Sequence, residues 1–209
     1  MTHAVRRRLA VPSVTLVALA LLASCASSRV VTQHANPDYV GKPFKSVMVV
    51  GVTADEIVRR TFEDRMVALL GKRGVKGIAA YSVLGKRGRV EEAELRQAVA
   101  GSGAEAVLIT RVTRVERSGG TVPGSTVDVG VGFGTGLYGY SGVWTTMTFA
   151  PETISGPSTT MSQTRLFDAG SGVLAWAGLV DTDENDNLNA ALTQYINVIF
   201  DAMVQDRVL

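Results

Sequence analysis

The sequence predicts an α/β fold, with α+β as the alternative: a mixed sheet of about five to six strands with three main helices packed on it. Three observations predict it. A short β-branched apolar run is followed by a helical pattern, that alternation then repeats, and the chain closes on a strongly amphipathic segment. The run is Ser46–Thr53, near-continuously apolar, as suits a strand buried on both faces. Asp55 is placed to cap a helix reaching about Lys72, with Val58, Phe62, Met66, Leu69 and Leu70 at helical spacing and Gly71 and Gly74 at its end. Gly77–Leu84 reads as a second strand and Glu91–Ala100 as a second helix, with acids in the first turn where the helix dipole favours them. Glu105–Val115 reads as a third strand, apolar through Ile109 and polar from Thr110, so its far end is expected to leave the core.

The style then changes. Val143–Ala150, Thr159–Asp168 and Gly172–Asp181 read as strands, the last two joined across Ala169-Gly170-Ser171 as a hairpin. Gly172–Val180 is apolar on both faces and should lie inside the sheet. Asn187–Gln205 reads as a helix whose Leu188, Leu192, Tyr195, Ile196, Ile199, Phe200 and Met203 share one face. That face must cover a sheet or stand as an exposed apolar stripe.

The first residues follow a different logic. Residues 1–8 are basic, with Arg6, Arg7 and Arg8, and residues 9–23 are apolar apart from Ser13 and Thr15. As a helix the apolar stretch would span about 22 Å, short of the roughly 30 Å hydrocarbon core of a bilayer. Basic start, short apolar stretch and small residues at the end have the form of a secretory signal. Leu22-Ala23-Ser24-Cys25 resembles the lipobox of bacterial lipoproteins. The resemblance implies cleavage between Ser24 and Cys25, a diacylglyceryl group on the Cys25 sulfur and an acyl group on its new amino terminus. Ala26, where an aspartate would favour inner-membrane retention by family rule, points to the outer membrane and a periplasmic position. Residues 25–44 are expected to be a lipidated flexible tether, and 45–209 one globular domain carrying a glycine-rich insert at about 118–142.

Composition excludes several function classes. The three leader arginines have no acidic counterpart before Cys25, so the formal net charge of +2 disappears once the leader is removed, and nucleic-acid binding has no support. Cys25 is the sole cysteine, so no disulfide is expected if it carries lipid. After the leader one histidine remains, His34, in the expected tether and badly placed for a nucleophile–base device. No catalytic residue, metal site, cofactor or small-molecule substrate is expected. Asp181-Thr182-Asp183-Glu184-Asn185-Asp186 groups oxygen ligands, but an EF-hand loop would want glycine at its sixth position and glutamate at its twelfth, where Asp186 and Leu192 stand. A solvated strand-to-helix loop, with Asp186 or Asn187 capping the last helix, is the plainer reading. Glu91, Glu92 and Glu94 read as a helix start. Gly134, Gly136 and Gly139 match the letters of a dinucleotide fingerprint, yet Tyr140-Ser141-Gly142 cannot open the helix it requires.

Residues 118–142 are the most unusual stretch. From Val127 the odd positions are largely apolar and positions 130, 132, 134 and 136 are glycine, so an extended chain would show one apolar face and one bare face. Three readings stay open: a glycine-rich loop, a partner surface centred on Phe133, Leu137, Tyr138 and Tyr140, or a membrane-inserting β-hairpin, since a spanning strand needs about 9–11 residues.

The segments Lys45–Gly51, Lys72–Val75, Gly103–Ile109 and Leu166–Trp176 together resemble a group of largely uncharacterised bacterial lipoproteins. More distantly, they are similar to periplasmic lipoproteins that activate penicillin-binding proteins and to the periplasmic domain of the curli secretion lipoprotein. The resemblance implies a fold and carries no catalytic residues. The function expected is that of a membrane-anchored cell-envelope lipoprotein, non-enzymatic, binding another envelope protein or polymer. The alternative is a subunit of an oligomeric envelope channel or secretion assembly that uses the glycine-rich segment as a membrane hairpin.

Overall fold

The computed structural model describes residues 28–39, 41–53, 55–84, 92–117, 158–184 and 188–209. Cys25 and its lipobox, the glycine-rich residues Phe133, Leu137, Tyr138 and Tyr140, and the expected strand Val143–Ala150 lie outside the described residues.

The fold is mixed α/β, as expected. In chain order its elements are β1 (Ser28–Ala35), β2 (Ser46–Val52), α1 (Glu56–Lys72), β3 (Lys76–Ala79), α2 (Ala80–Leu84), α3 (Glu92–Ser102), β4 (Ala106–Arg117), β5 (Ser158–Asp168), β6 (Leu174–Glu184) and α4 (Leu188–Gln205). The strands form one six-stranded sheet in the order β1-β6-β5-β4-β2-β3. β2 pairs in parallel with β3 and β4, while the β4/β5, β5/β6 and β6/β1 pairs are antiparallel. β6 is therefore an interior strand, as its two-sided apolar sequence required.

Side chains alternate across each strand and so feed two cores. On one face Val47, Val49, Ala106, Leu108, Leu166 and Trp176 pack with Phe62, Met66 and Leu70 of α1 and with Tyr195, Ile199, Phe200 and Met203 of α4. On the other, Met48, Val50, Val107, Ile109 and Phe167 pack with Ala80, and with Leu95 and Val99 of α3. Each fully buried large apolar side chain contributes roughly 1.5–3 kcal/mol. Asp55 is the predicted cap: its Oδ1 accepts from the amides of Ile57 and Val58 at 2.8 and 3.0 Å. Gly77 is required where β3 meets α1, because a Cβ there would lie 2.8 Å from the Val67 Cα.

Four expectations are corrected. The tether expected at 25–44 holds a strand: Ser28–Ala35 forms the sheet edge against β6, from Ser28↔Thr182 to Ala35↔Trp176. An edge strand with one half-buried face tolerates the polar composition that argued for coil, and a register shift between Val30 and Thr32 breaks the alternation that would have revealed it. His34 consequently sits in a strand, opposite Ala177. The strand expected over Gly77–Leu84 stops at Ala79 and turns into one short helix, α2. Asp181, Asp183 and Glu184 close strand β6 instead of opening a loop. Finally, Leu188, assigned to the covered face of the last helix, is 55% exposed, while the other six residues of that face pack into the core.

Candidate functional site

Strand direction puts several chain features at one end of the sheet. β2, β4 and β6 run the same way, so their last residues share an edge, and α1 and α4 both start from it. β5 and β1 run oppositely and begin there: Arg117 is level with Ser158, Ser158 with Glu184, and Ser28 with Thr182. Residue 28, the two points where residues 118–157 leave and rejoin the sheet, and the first turns of α1 and α4 therefore all lie at this end.

The same end contains a cavity of about 120 Å³ between α1, α4 and the sheet. Val58 and Phe62 of α1 and Leu188, Ala191 and Leu192 of α4 supply apolar walls. The sheet supplies the floor, and here its sequence changes character. On this face aliphatic side chains give way to hydroxyls, with Thr110, Thr160, Ser162, Thr164 and Thr182 all buried. Two of these hydroxyls are paired with each other. The Thr110 and Thr164 Oγ1 atoms are 2.8 Å apart, and Thr164 also pairs with the Tyr195 hydroxyl. Burial pushes the Tyr195 phenol up to about 12, against a smaller opposing effect of its threonine neighbours. It remains a neutral hydrogen-bonding group at any physiological pH and cannot serve as a base there. The lining is mainly apolar side chains, with the buried Arg59 beside them, above a floor of threonine and serine hydroxyls, which suits a mainly apolar guest.

Two charged residues build this end. Arg65 ties α1 to the first turn of α4, donating to the Asn189 carbonyl at 3.0 Å, the Asn189 Oδ1 at 3.0 Å and the Thr193 Oγ1 at 2.8 Å. Glu63 is 1% exposed, and its two carboxylate oxygens accept from the Gly51 amide at 3.0 Å and the Tyr81 amide at 2.9 Å. It joins the end of β2 to the start of α2, where the β2/β3 ladder has stopped. Burial raises its pKa; the two amide bonds and the charge of Arg59 pull the other way. The sequence carried a signal for Glu63 that composition obscured: 63, 66 and 70 share one helical face, and Met66 and Leu70 are core residues.

The opposite sheet face carries half-buried Arg111 and Arg165. Burial lowers the pKa of both, and Arg111 lowers that of Arg165 further. Arg111 donates to the Gln163 Oε1 at 3.1 Å. Guanidinium groups start so high that both remain charged. Among the described residues no group of three or more His, Cys, Asp or Glu is placed to hold a metal ion, and no helix is long and apolar enough to cross a membrane.

No protein-family model matches the chain, and no curated protein matches it. Solved structures do. A PelC dodecamer from Paraburkholderia phytofirmans is similar at 11% identity and a TM-score of 0.41, over 83% of this chain and 95% of that one. Lipoprotein GNA1162 from Neisseria meningitidis is similar at 16% identity and a TM-score of 0.40, over 77% and 98%. The hypothetical protein CT253 from Chlamydia trachomatis is similar at 10% identity and a TM-score of 0.37, over 80% and 98%.

Proposed function

We propose that the chain is a lipid-anchored protein of the cell envelope, held in the outer membrane through Cys25 and facing the periplasm. It works by binding another envelope protein or polymer, not by catalysis. The observation that carries this reading is the convergence at one end of the sheet. Position 25 lies three residues before Ser28, so at full extension its Cα is within about 11 Å of that end. The strands that hand out residues 118–157 stop and restart at the same end. The anchor and the ends of the segment that carries the candidate partner residues thus share one end of the sheet.

Crosslinking in intact cells, followed by recovery of the lipidated protein, tests it. One envelope component should be recovered with the native chain and lost when Phe133, Leu137, Tyr138 and Tyr140 are all replaced by serine. Equal recovery with both chains would contradict the assignment of that surface.

The same convergence favours a second reading, a channel or secretion subunit whose glycine-rich segment enters the bilayer as a hairpin. An isolated hairpin would leave open edges in lipid, so this reading requires many subunits closing a barrel. Sizing of detergent-solubilised material separates the two: a large ring supports the channel, a small species the binding protein.

A further inference from the structure

We propose that the pocket end of the domain rests on the bilayer that anchors it, with Ile57 and Leu188 entering the lipid and the mouth of the pocket open to its acyl chains. This rests on the reading of Cys25 as the lipid-bearing residue and names the surface that reading brings to the membrane.

Two or more acyl chains make an anchor stable, and only Ala26 and Ser27 separate the anchor residue from β1. Ser28 is fixed in turn, its Oγ 2.9 Å from the Thr182 Oγ1, and Thr182 is part of the pocket floor. A domain attached so closely at that end holds it at the bilayer surface, whereas the Asp168–Val173 hairpin lies at the far end of the sheet.

The surface at that end has the chemistry the position demands. Ile57 is 78% exposed and Leu188 55%, the two most exposed large apolar side chains among the described residues, and each lies in the first turn of one of the helices that start there. Leu188 is itself a wall of the pocket, and Ile57 stands in the same helical turn as the wall residue Val58. Scattered single apolar residues need no explanation, but these two stand at the starts of the two helices that wall the cavity. At about 120 Å³ the cavity is comparable to an engineered cavity of about 150 Å³ that holds benzene, enough for the end of one hydrocarbon chain. Charge does not drive the contact. Asp55, Glu56, Glu116, Asp181, Asp183 and Glu184 lie at this end with Arg29, Arg59, Arg60, Arg114 and Arg117, so the signs nearly balance, and Arg29 and Arg60 are paired with Asp181 and Glu56. Insertion of apolar groups therefore predicts contact with uncharged lipid and little weakening by salt.

The test uses the full lipidated chain in phosphatidylcholine vesicles. Ile57→Cys, Leu188→Cys and Val173→Cys are each labelled with an environment-sensitive fluorophore; acylation leaves Cys25 no thiol to compete. Quenching by lipids with a nitroxide on the acyl chain should be at least about twofold stronger at 57 and 188 than at 173, and unchanged from about 0.05 to 0.5 M salt. Equal quenching at all three positions, or stronger quenching at 173, would overturn the proposal. Intact mass of the same samples reads the anchor separately: lipidated protein with unquenched labels overturns the membrane-facing surface alone, and an unmodified Cys25 overturns both readings.

Discussion

The two ends of the sheet are built on opposite principles. At the hairpin end the strand termini are tied down. The Asp168 Oδ1 accepts from both the amide and the hydroxyl of Ser171 at 2.7 Å, the Asn36 side chain donates to the Leu174 carbonyl at 2.6 Å, and the Glu105 Oε2 takes the Lys45 amide at 2.7 Å. The C-terminus folds in as well: Asp206 receives the Trp176 indole N–H at 2.7 Å, and the Val208 carbonyl receives the Phe44 amide at 3.1 Å. At the pocket end the strands run out, apolar side chains stand exposed and a cavity is left open. Packing density is a source of stability, and this molecule concentrates it away from the pocket end, where the proposed anchor would attach. The difference teaches where to look for function: in the half of the sheet where the rules of a closed core are relaxed.

Substitutions at the two ends should therefore differ in kind. The largest loss of stability is expected at the closed end. Trp176 is fully buried, with its ring over Gly178, and Trp176→Ala should cost about 3–5 kcal/mol in urea unfolding. A loss under about 1 kcal/mol would mean the closed end is not the stabilising half.

Glu63→Gln should cost about 1–3 kcal/mol, because an amide can present only one oxygen to the two N–H groups the carboxylate serves. The pH dependence sharpens the point. Glu63 has a raised pKa in the fold, so the folded chain binds the proton more tightly than the unfolded chain does. Its stabilising contribution is full below about pH 4.5 and declines as pH rises through the raised value. Unfolding free energies from about pH 4 to 8 should show that decline in the native chain, and Glu63→Gln should remove it.

Tyr195→Phe, in the pocket floor, should cost only about 1 kcal/mol, because Thr110 and Thr164 retain each other. In the native chain one tyrosine should ionise near pH 12 by ultraviolet absorbance, and that late step should vanish in the variant. The smallest effect is expected at Arg29, whose side chain is 75% exposed in its pair with Asp181; Arg29→Ala should change stability by about 0.5 kcal/mol or less.

The parts of the fold legible in the sequence are those where local pattern and burial agree. β2, β6 and the first half of β4 are readable because a strand buried on both faces must be apolar on both, α1 and α4 because a covering helix must be amphipathic, and β5 from the turn signal that joins it to β6. β1 is not, because its stability comes from pairing with β6, a partner far away in sequence, and its Thr-Gln-His composition suits coil equally well. α2 is hidden because its apolar residues continue those of β3 without a capping signal. The pocket is harder still. Thr110 looks like the start of a strand end leaving the core, and only the fold shows that it is buried and paired with Thr164 beside Tyr195. Leu188 is the instructive exception: periodicity puts it on the covered face, and its exposure arises because α4 begins at the open end.

The functional account depends on a covalent bond at position 25, and intact mass spectrometry of the protein extracted from its native membrane tests it most directly. The account predicts a chain that begins at Cys25, carries a thioether-linked diacylglycerol and an amide-linked acyl chain, and lacks residues 1–24. A chain that keeps Met1, or one that begins elsewhere with an unmodified thiol at Cys25, would contradict it.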